Sequence, residues 1–179
     1  MQLKETKEAL NKFAKYVIQQ ARTNLSRKKD NPTSNSTKRL YNSLSSKPLN
    51  QGLGLQFSML DYGQFQDKGV KGTKSNYIVN RNSPFSYKKR GSGLKGMPPP
   101  DAFAGWAKRK GIKGRDAKTG RFITDKTLQF LIARSVFEKG IRASMFFTKP
   151  FEAAFERLPQ DLQEKFALDL ENLILKEDG

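Results

Sequence analysis

Apolar residues near the N-terminus recur every three or four positions, a spacing that predicts one long amphipathic helix over residues 3–28. The apolar stripe consists of Leu3, Leu10, Phe13, Ala14, Val17, Ile18, Ala21 and Leu25. Most lysines and arginines of this segment fall outside the stripe. We therefore expect the helix to pack through one face and to present a basic face outward. A run of turn-forming residues, 30–37, follows it.

The pattern changes to strict alternation after residue 52, which predicts a half-buried strand. The alternating apolar residues are Leu53, Leu55, Phe57 and Met59. A brief apolar cluster before them, typical of a short turn or strand, consists of Leu40, Tyr41 and Leu44. After the strand, Asp61 is placed to cap a short helix that carries Tyr62 and Phe65 inward and ends before Gly69.

Helical periodicity is absent between residues 70 and 100, where glycines and three successive prolines interrupt the chain. Within this stretch, residues 77–79 predict a short strand. A helix is predicted over 101–110, and a second Gly- and Lys-rich loop over 111–121. We interpret the whole segment 70–124 as a basic extended insert, or arm, that becomes ordered against a neighbour.

Residues 91–96, Gly-Ser-Gly-Leu-Lys-Gly, match the G-x-G-x-x-G spacing of dinucleotide-binding loops. That fingerprint requires an apolar strand before it and a helix after it, because the helix N-terminus receives the pyrophosphate. Here Lys-Lys-Arg precedes the glycines and Met-Pro-Pro-Pro follows them. The sequence therefore predicts no nucleotide site, and we expect no cofactor.

The C-terminal third predicts helices around one strand. Thr124 or Asp125 caps a strongly apolar helix that stops at Gly140. Residues 141–147 suit a strand, and the following helix carries one face of Phe151, Ala154 and Phe155. A last helix is expected from about residue 159 to 176, with inward residues Leu162, Phe166, Leu170, Leu173 and Ile174.

Together these patterns predict a single α+β domain over residues 1–179. A long N-terminal helix and C-terminal helices pack on a small, mainly antiparallel sheet, and the Gly/Pro/Lys-rich insert interrupts this framework. The absence of an apolar run near eighteen residues predicts no membrane span, and the N-terminus lacks an apolar signal core. We therefore expect a product made in the cytoplasm.

Cysteine and histidine are both absent from the sequence. This excludes a disulfide framework, a zinc finger, a thiol nucleophile and a Ser-His-Asp arrangement. Carboxylate chemistry or an all-oxygen metal site stays possible, but the acidic residues are few and lie mostly on the C-terminal helices. Asp61 and Asp67 form the only central pair, and helix capping and surface charge account for both. We expect neither catalysis nor a bound metal.

The net charge of +17 is unevenly distributed. Residues 81–121 carry 12 basic and 2 acidic side chains, whereas residues 122–179 carry 8 and 10. Such a field attracts polyanions, nucleic acid above all, although an A·T-rich genome produces the same abundance of lysine. The predicted contacts with DNA or an acidic partner are Arg81, Lys88, Lys89, Arg90, Lys95, Lys108, Arg109 and Lys110. The last three also suit the C-terminal dipole of a helix without any ligand.

Three short segments, in this order, resemble a known family. They are Ser-Thr-Lys-Arg-Leu-Tyr-Asn-Ser at 36–43, Tyr-Gly-Gln-Phe-Gln-Asp-Lys-Gly at 62–69, and the Pro-Phe-containing stretch 141–151. The family comprises the tail-completion, or head–tail joining, proteins of tailed bacteriophages (the tail-component family of lambda-like phages). The resemblance covers roughly residues 3–69 and 125–176. The chain departs from it at Lys38, where the family has glycine, and in the much longer 70–124 segment.

The resemblance implies a structural virion protein of the neck or tail, in a ring of about six or twelve copies around the DNA channel. Its neighbours would be other neck proteins, the portal or adaptor, or the tail tube. The expected subunit-interface residues are Tyr62, Phe65, Phe146, Phe147 and Phe151. Ordinary intramolecular core is the alternative for these aromatic residues, and contact with acidic neighbours is the alternative for the basic insert.

A free nucleic-acid-binding protein is the second hypothesis. Aromatic residues are interleaved with lysine and arginine over residues 77–90, where Tyr77, Phe85 and Tyr87 are candidates for stacking on single-stranded bases.

Overall fold

The computed structural model describes residues 3–27, 38–74, 77–88 and 96–177, with side chains to residue 173. Within these ranges the chain forms seven α-helices and two two-stranded antiparallel sheets, which confirms the α+β prediction. Two compact units are present: a first unit of residues 1–63 and 145–179, and a second unit of residues 64–144. The segment predicted as an insert, 70–124, lies within the second unit.

In the first unit, α1 (Lys4–Ser26) packs against two C-terminal helices and a β-hairpin. The other elements are α2 (Arg39–Ser43), β1 (Ser45–Leu49), β2 (Gly54–Ser58), α6 (Thr148–Phe155) and α7 (Leu158–Glu177). The buried face of α1 follows the predicted periodicity, with Thr6, Leu10, Ala14, Val17, Ala21 and Leu25 inside. Each fully buried Leu or Val contributes roughly 1.5–3 kcal/mol of hydrophobic stabilisation, so this stripe fixes the helix in the unit.

Strand β1 is an element that the sequence pattern did not predict. It pairs antiparallel with β2, from Ser45 opposite Ser58 to Leu49 opposite Gly54. Its sequence contains Pro48, which cannot donate to a sheet hydrogen bond. The proline is tolerated because each strand of a two-stranded sheet has one unpaired edge.

The second unit contains α4 (Ala104–Arg109), α5 (Asp125–Lys139), β3 (Val70–Lys71) and β4 (Gly140–Ile141). Helix α3 (Tyr62–Lys68) begins at the end of the first unit's residues and continues into the second. Val70 pairs with Ile141 and Lys71 with Gly140. Of the two residues predicted to cap α5, Thr124 and Asp125, the structure shows Thr124: its hydroxyl oxygen accepts a hydrogen bond from the Thr127 backbone N–H at 3.3 Å.

Two predicted strands are wrong. Residues 77–79 do not form a strand; Ile78–Asn80 is a 3₁₀ turn in which Ile78 is 91% exposed. The strand expected over 141–147 ends after Ile141, because its partner β3 is only two residues long. Met145 then takes a positive φ of 52°, which extended backbone does not adopt.

The predicted inward faces of two helices also need correction. On α3, Tyr62 and Phe65 are 43% and 41% exposed, whereas Gly63 is buried. An added Cβ at Gly63 would lie 2.7 Å from the Met59 sulfur. The first turn of α3 therefore packs closely through Gly63, while Tyr62 and Phe65 keep exposed surface. On α7, Phe166 and Leu170 are 42% and 39% exposed.

Among the residues that the structure describes, none of the helices combines the length and the apolar character that a membrane span requires.

Candidate functional site

Positive charge is concentrated on the second unit. Residues 64–144 carry 19 basic and 5 acidic side chains, a net charge of +14. The remaining residues carry 15 and 12, a net of +3. The second unit is therefore the candidate site for contact with a polyanion or an acidic protein surface.

A buried amide organises the second unit. The Asn80 side chain is fully buried, and its Nδ2 donates to the backbone oxygens of Val70 at 3.0 Å and Ile141 at 2.6 Å. Its Oδ1 accepts from the Ala143 N–H at 2.8 Å. One side chain thus joins the 3₁₀ turn to the segments around both strands of the small sheet. Because every bond goes to backbone, the side chain acts as a structural clamp.

Two predicted contact residues of the second unit, Arg81 and Lys88, are exposed. Arg81 follows the 3₁₀ turn directly. Lys88 follows a segment that is bonded to Lys71, whose N–H donates to Phe85 O and whose carbonyl accepts from Tyr87 N–H, both at 2.9 Å. The fold therefore presents both cations to solvent from well-anchored backbone.

Of the three aromatic residues proposed for base stacking, two contact protein rings instead. Phe85 lies edge-on to Phe65, with ring centroids 4.6 Å apart. Tyr87 lies 5.9 Å from the ring of Phe137, and partial burial raises the pKa of its phenol. Tyr77 is the more open residue, 38% exposed.

The cluster Lys108, Arg109 and Lys110 lies at the C-terminal end of α4, directly after buried Ala107, and is exposed. Arg109 folds back along its own helix, since an added Cβ at Gly105 would lie 2.9 Å from a guanidinium nitrogen of Arg109. The position also places the three charges at the negative end of the helix dipole.

A further basic element follows α4, and we call residues 113–123 the basic finger. Arg115 and Phe122 pair as an antiparallel bridge. On the side of this pair away from the turn, the Ile123 N–H donates to Gly114 O at 3.1 Å. On the side toward the turn, the Asp116 N–H donates to Arg121 O at 2.8 Å. The result is a miniature hairpin with a defined turn.

The turn of the basic finger is held by one carboxylate. Asp116 Oδ1 accepts from the backbone N–H groups of Lys118 and Thr119, at 3.0 and 2.8 Å, and from the Thr119 hydroxyl at 2.9 Å. The hydrogen bonds from Thr119, backbone and then side chain, and from Lys118 lower the pKa of Asp116. The only acidic group in the finger's sequence is therefore engaged in shaping it.

Four cations and one exposed ring form the surface of the basic finger. The cations are Lys113, Arg115, Lys118 and Arg121. The Phe122 side chain is 60% exposed, with the Arg115 guanidinium 4.2 Å from its ring centroid and the Lys113 ammonium 5.9 Å away. These cation–π contacts hold an apolar group in an outward position. The sequence pattern suggested only a loop here, although Asp116 followed by Thr119-Gly120 is a turn signal.

The predicted subunit-interface residues differ in accessibility. Phe146 is 1% exposed and packs in a cluster with Ala21, Leu25, Leu40 and Leu44. The intramolecular alternative therefore describes Phe146. Tyr62 and Phe65, in contrast, keep substantial exposed surface.

Phe147 and Phe151 belong to an aromatic ladder, which we define as Phe13, Phe57, Phe147, Phe151 and Phe155. Along α6, the rings of 147, 151 and 155 stack in sequence, with centroids 5.9 and 5.7 Å apart. Phe13 and Phe57 meet Phe151 edge-on at 5.8 and 5.9 Å. The ladder ends in Phe155, which is 52% exposed. Phe147 and Phe151 thus pack within the chain, and Phe155 offers the exposed aromatic surface.

Three predicted contact residues, Lys89, Arg90 and Lys95, lie outside the described residues, as does most of the glycine motif at 91–96. Among the residues that are described, no group of three or more Asp and Glu side chains is arranged to hold a metal ion. Comparison of the chain with protein-family models, curated proteins and solved structures gives no match.

Proposed function

We propose that this chain is a structural subunit of a tailed-phage virion, in the neck or tail-completion ring that joins head to tail and surrounds the DNA channel. The observation that carries the proposal is the segregation of charge: a net +14 on one compact unit and +3 on the remainder. One unit is thus suited to a polyanion, and the other to packing against protein.

Sequence-independent contact with DNA requires exposed cations, but it does not require side chains arranged to read the bases. Arg81, Lys88, Lys108 and the basic finger supply such cations on separate pieces of backbone. Spread in this way, they neutralise phosphates along a passing duplex without recognising its sequence.

Assembly requires exposed apolar anchors, and both units have them. Tyr62 and Phe65 are more than 40% exposed on α3, and Phe155 and Phe166 are 52% and 42% exposed on the C-terminal helices. Aromatic side chains of this kind are enriched at the centres of protein interfaces.

Two backbone details support the motif resemblance behind this proposal. Lys38, at the position where the family has glycine, takes a left-handed φ of 52° immediately before α2. Gly69, the last residue of the second motif, has a φ of 72°. Both positions favour glycine physically, so a glycine-based motif fits the local geometry.

Sedimentation and negative-stain microscopy of the purified full chain test the proposal. We expect closed rings of about six or twelve copies at micromolar concentration, and labelled protein at the head–tail junction of purified virions. A chain that stays monomeric at every concentration and does not occur at that junction would refute the proposal.

The charge of the second unit also favours a second candidate, a free nucleic-acid-binding protein. It predicts an oligonucleotide association constant whose logarithm falls steeply with the logarithm of salt concentration, with a slope of roughly 0.7–0.9 per neutralised phosphate. An affinity that is independent of salt would rule this candidate out.

A further inference from the structure

The basic finger presents Phe122 in an unusual way. A large apolar side chain 60% exposed on a short hairpin is normally a liability, yet here the Asp116 turn and the Arg115 contact hold it outward. A group that is pre-organised in this way loses little conformational entropy when it inserts into a pocket. The finger therefore has the properties of an anchor surrounded by positive charge.

The first unit contains a groove of matching character between α1 and the two C-terminal helices, with a volume of about 390 Å³. Its apolar lining includes Ala9, Phe13, Ala153 and Ala154. A cavity of this size is within the range that accommodates a bulky side chain with its flanking groups. We call it the acidic-rimmed groove, because acidic side chains, among them Asp161 and Glu164, border the apolar floor.

The charges on the rim are not all engaged. Glu5 pairs with Lys165 at 3.7 Å, and Glu8 pairs with Lys12 at 3.8 Å. Asp161 and Glu164 make no ion pair within the part of the chain that the structure describes, and both are exposed. Arg157 also lines the groove, so the rim as a whole carries four acidic and three basic groups.

We infer that the basic finger of one copy docks in the acidic-rimmed groove of the next copy. Phe122 meets the apolar floor, while Lys118 and Arg121 approach Asp161 and Glu164. This inference rests on the proposed ring and identifies the contact that builds it. Because the two surfaces differ, the contact is head-to-tail, the type of interface that generates closed rings. The segment 145–179, which supplies one wall of the groove, carries 4 basic and 8 acidic residues, whereas the second unit carries +14.

The first experiment measures self-association by analytical ultracentrifugation. Phe122→Ala is expected to weaken it by about 30-fold or more, the loss typical of a buried aromatic hot spot. Phe130→Ala removes another exposed phenylalanine of the same unit, 37% exposed and outside the finger, and is expected to leave association unchanged. Circular dichroism verifies that each variant is folded.

The second experiment uses charge reversal. Asp161→Lys with Glu164→Lys, or Lys118→Glu with Arg121→Glu, is expected to abolish the ring. The charge reversal Glu171→Lys, at an exposed acidic residue of α7 outside the groove, serves as the matched control. Combining both double reversals in one chain restores the charge pairing and is expected to restore assembly.

A mixing experiment isolates the head-to-tail geometry. A copy with the finger variant keeps its groove, and a copy with the groove variant keeps its finger. Neither assembles alone, but an equimolar mixture is expected to form a one-to-one complex that grows no further.

The outcomes separate this inference from the proposed function. Rings that tolerate all of these variants would overturn the finger contact and leave the ring proposal intact. A wild-type chain that is monomeric throughout would overturn both. If Phe122→Ala reduces affinity for a 20-nucleotide single strand but leaves assembly unchanged, the finger is a nucleic-acid contact and the inference is wrong.

Discussion

Asp169, in α7, caps the first turn of α1 through Thr6, a residue 163 positions earlier in the chain. Its carboxylate accepts from the Thr6 backbone N–H at 2.9 Å and from the Thr6 hydroxyl at 2.8 Å. The Glu5 N–H donates to the other oxygen at 3.0 Å. Leu3, the residue at the N-cap of α1, has no side-chain acceptor. The C-terminal helix therefore supplies the negative group that a helix N-terminus favours.

This capping predicts an acid-sensitive contribution to stability. Burial raises the pKa of Asp169, but the hydrogen bonds from Thr6, Glu5 and Lys4 together outweigh it, so the pKa lies below its ordinary value. A depressed carboxyl pKa stabilises the fold above the ordinary value of about 3.9, and this stability is lost as the pH falls through the folded pKa. We expect Asp169→Asn to lower the melting temperature at pH 7, with a difference that narrows in acid.

Thermal melts followed by circular dichroism from pH 7 to pH 3 measure this effect. Glu171→Gln, an exposed acidic residue on the same helix, is expected to change the melting temperature little at any pH. A constant difference between wild type and Asp169→Asn across the whole range would contradict the linkage.

Asn80 is expected to be indispensable to the second unit. Its replacement by alanine leaves backbone groups of Val70, Ile141 and Ala143 without their buried partner, at a cost of about 1–3 kcal/mol for each group left unpaired. Urea unfolding followed by the fluorescence of the sole tryptophan, Trp106 in this unit, reports the loss. Asn82→Ala, at an exposed site two residues later, is the control. Equal midpoints for the two variants would show that the clamp is dispensable.

Alanine substitutions at two glycines with positive φ distinguish the stability cost of backbone strain from the cost of a steric clash. An added Cβ at Gly69 would lie 2.7 Å from Ala143 N and Ile141 O, whereas one at Gly111 would meet nothing within 4 Å. Gly111→Ala should therefore cost only the left-handed penalty of about 1–2 kcal/mol. Gly69→Ala adds overpacking of about 1–3 kcal/mol. The same fluorescence measurement ranks the two variants, and a larger loss for Gly111→Ala would be inconsistent with the geometry.

The aromatic ladder predicts a gradient of stability along α6. Phe151 contacts four other rings, so Phe151→Ala should lower the free energy of unfolding by roughly 3 kcal/mol. Phe155 is 52% exposed and stacks on one ring, so its replacement should cost about 1 kcal/mol or less. Chemical unfolding monitored by circular dichroism distinguishes the two, and equal losses would argue against the ladder as the core of this helix.

The helices were the most predictable part of the fold. The stripe of α1 and the stop of α5 at Gly140 were evident from the sequence, which also narrowed the cap of α5 to Thr124 or Asp125. These features depend on residues within about one helical turn of each other, so a local pattern contains the information. Strand β1 escaped prediction because its Ser-Ser-Lys-Pro-Leu sequence has no alternation, and its existence depends on pairing with β2.

The candidate site was predictable in charge but not in shape. The sequence placed the excess of lysine and arginine correctly in the middle of the chain, and it singled out Arg81, Lys88 and residues 108–110, which are exposed. It did not reveal that Phe85 and Tyr87 face protein rings, nor that residues 113–123 form a finger. Side-chain direction depends on neighbours that are distant in sequence.

By itself, the sequence determined the periodic helices, the α+β class, the location of positive charge and the exclusion of histidine and cysteine chemistry. Only the tertiary structure decided that Asp169 caps α1, that Asn80 clamps the second unit, and that Tyr62 and Phe65 face outward. The physical reason is the range of the interactions. Helix periods and caps reflect residues a few positions apart, whereas a buried polar group finds its partners only when the whole chain has brought them together.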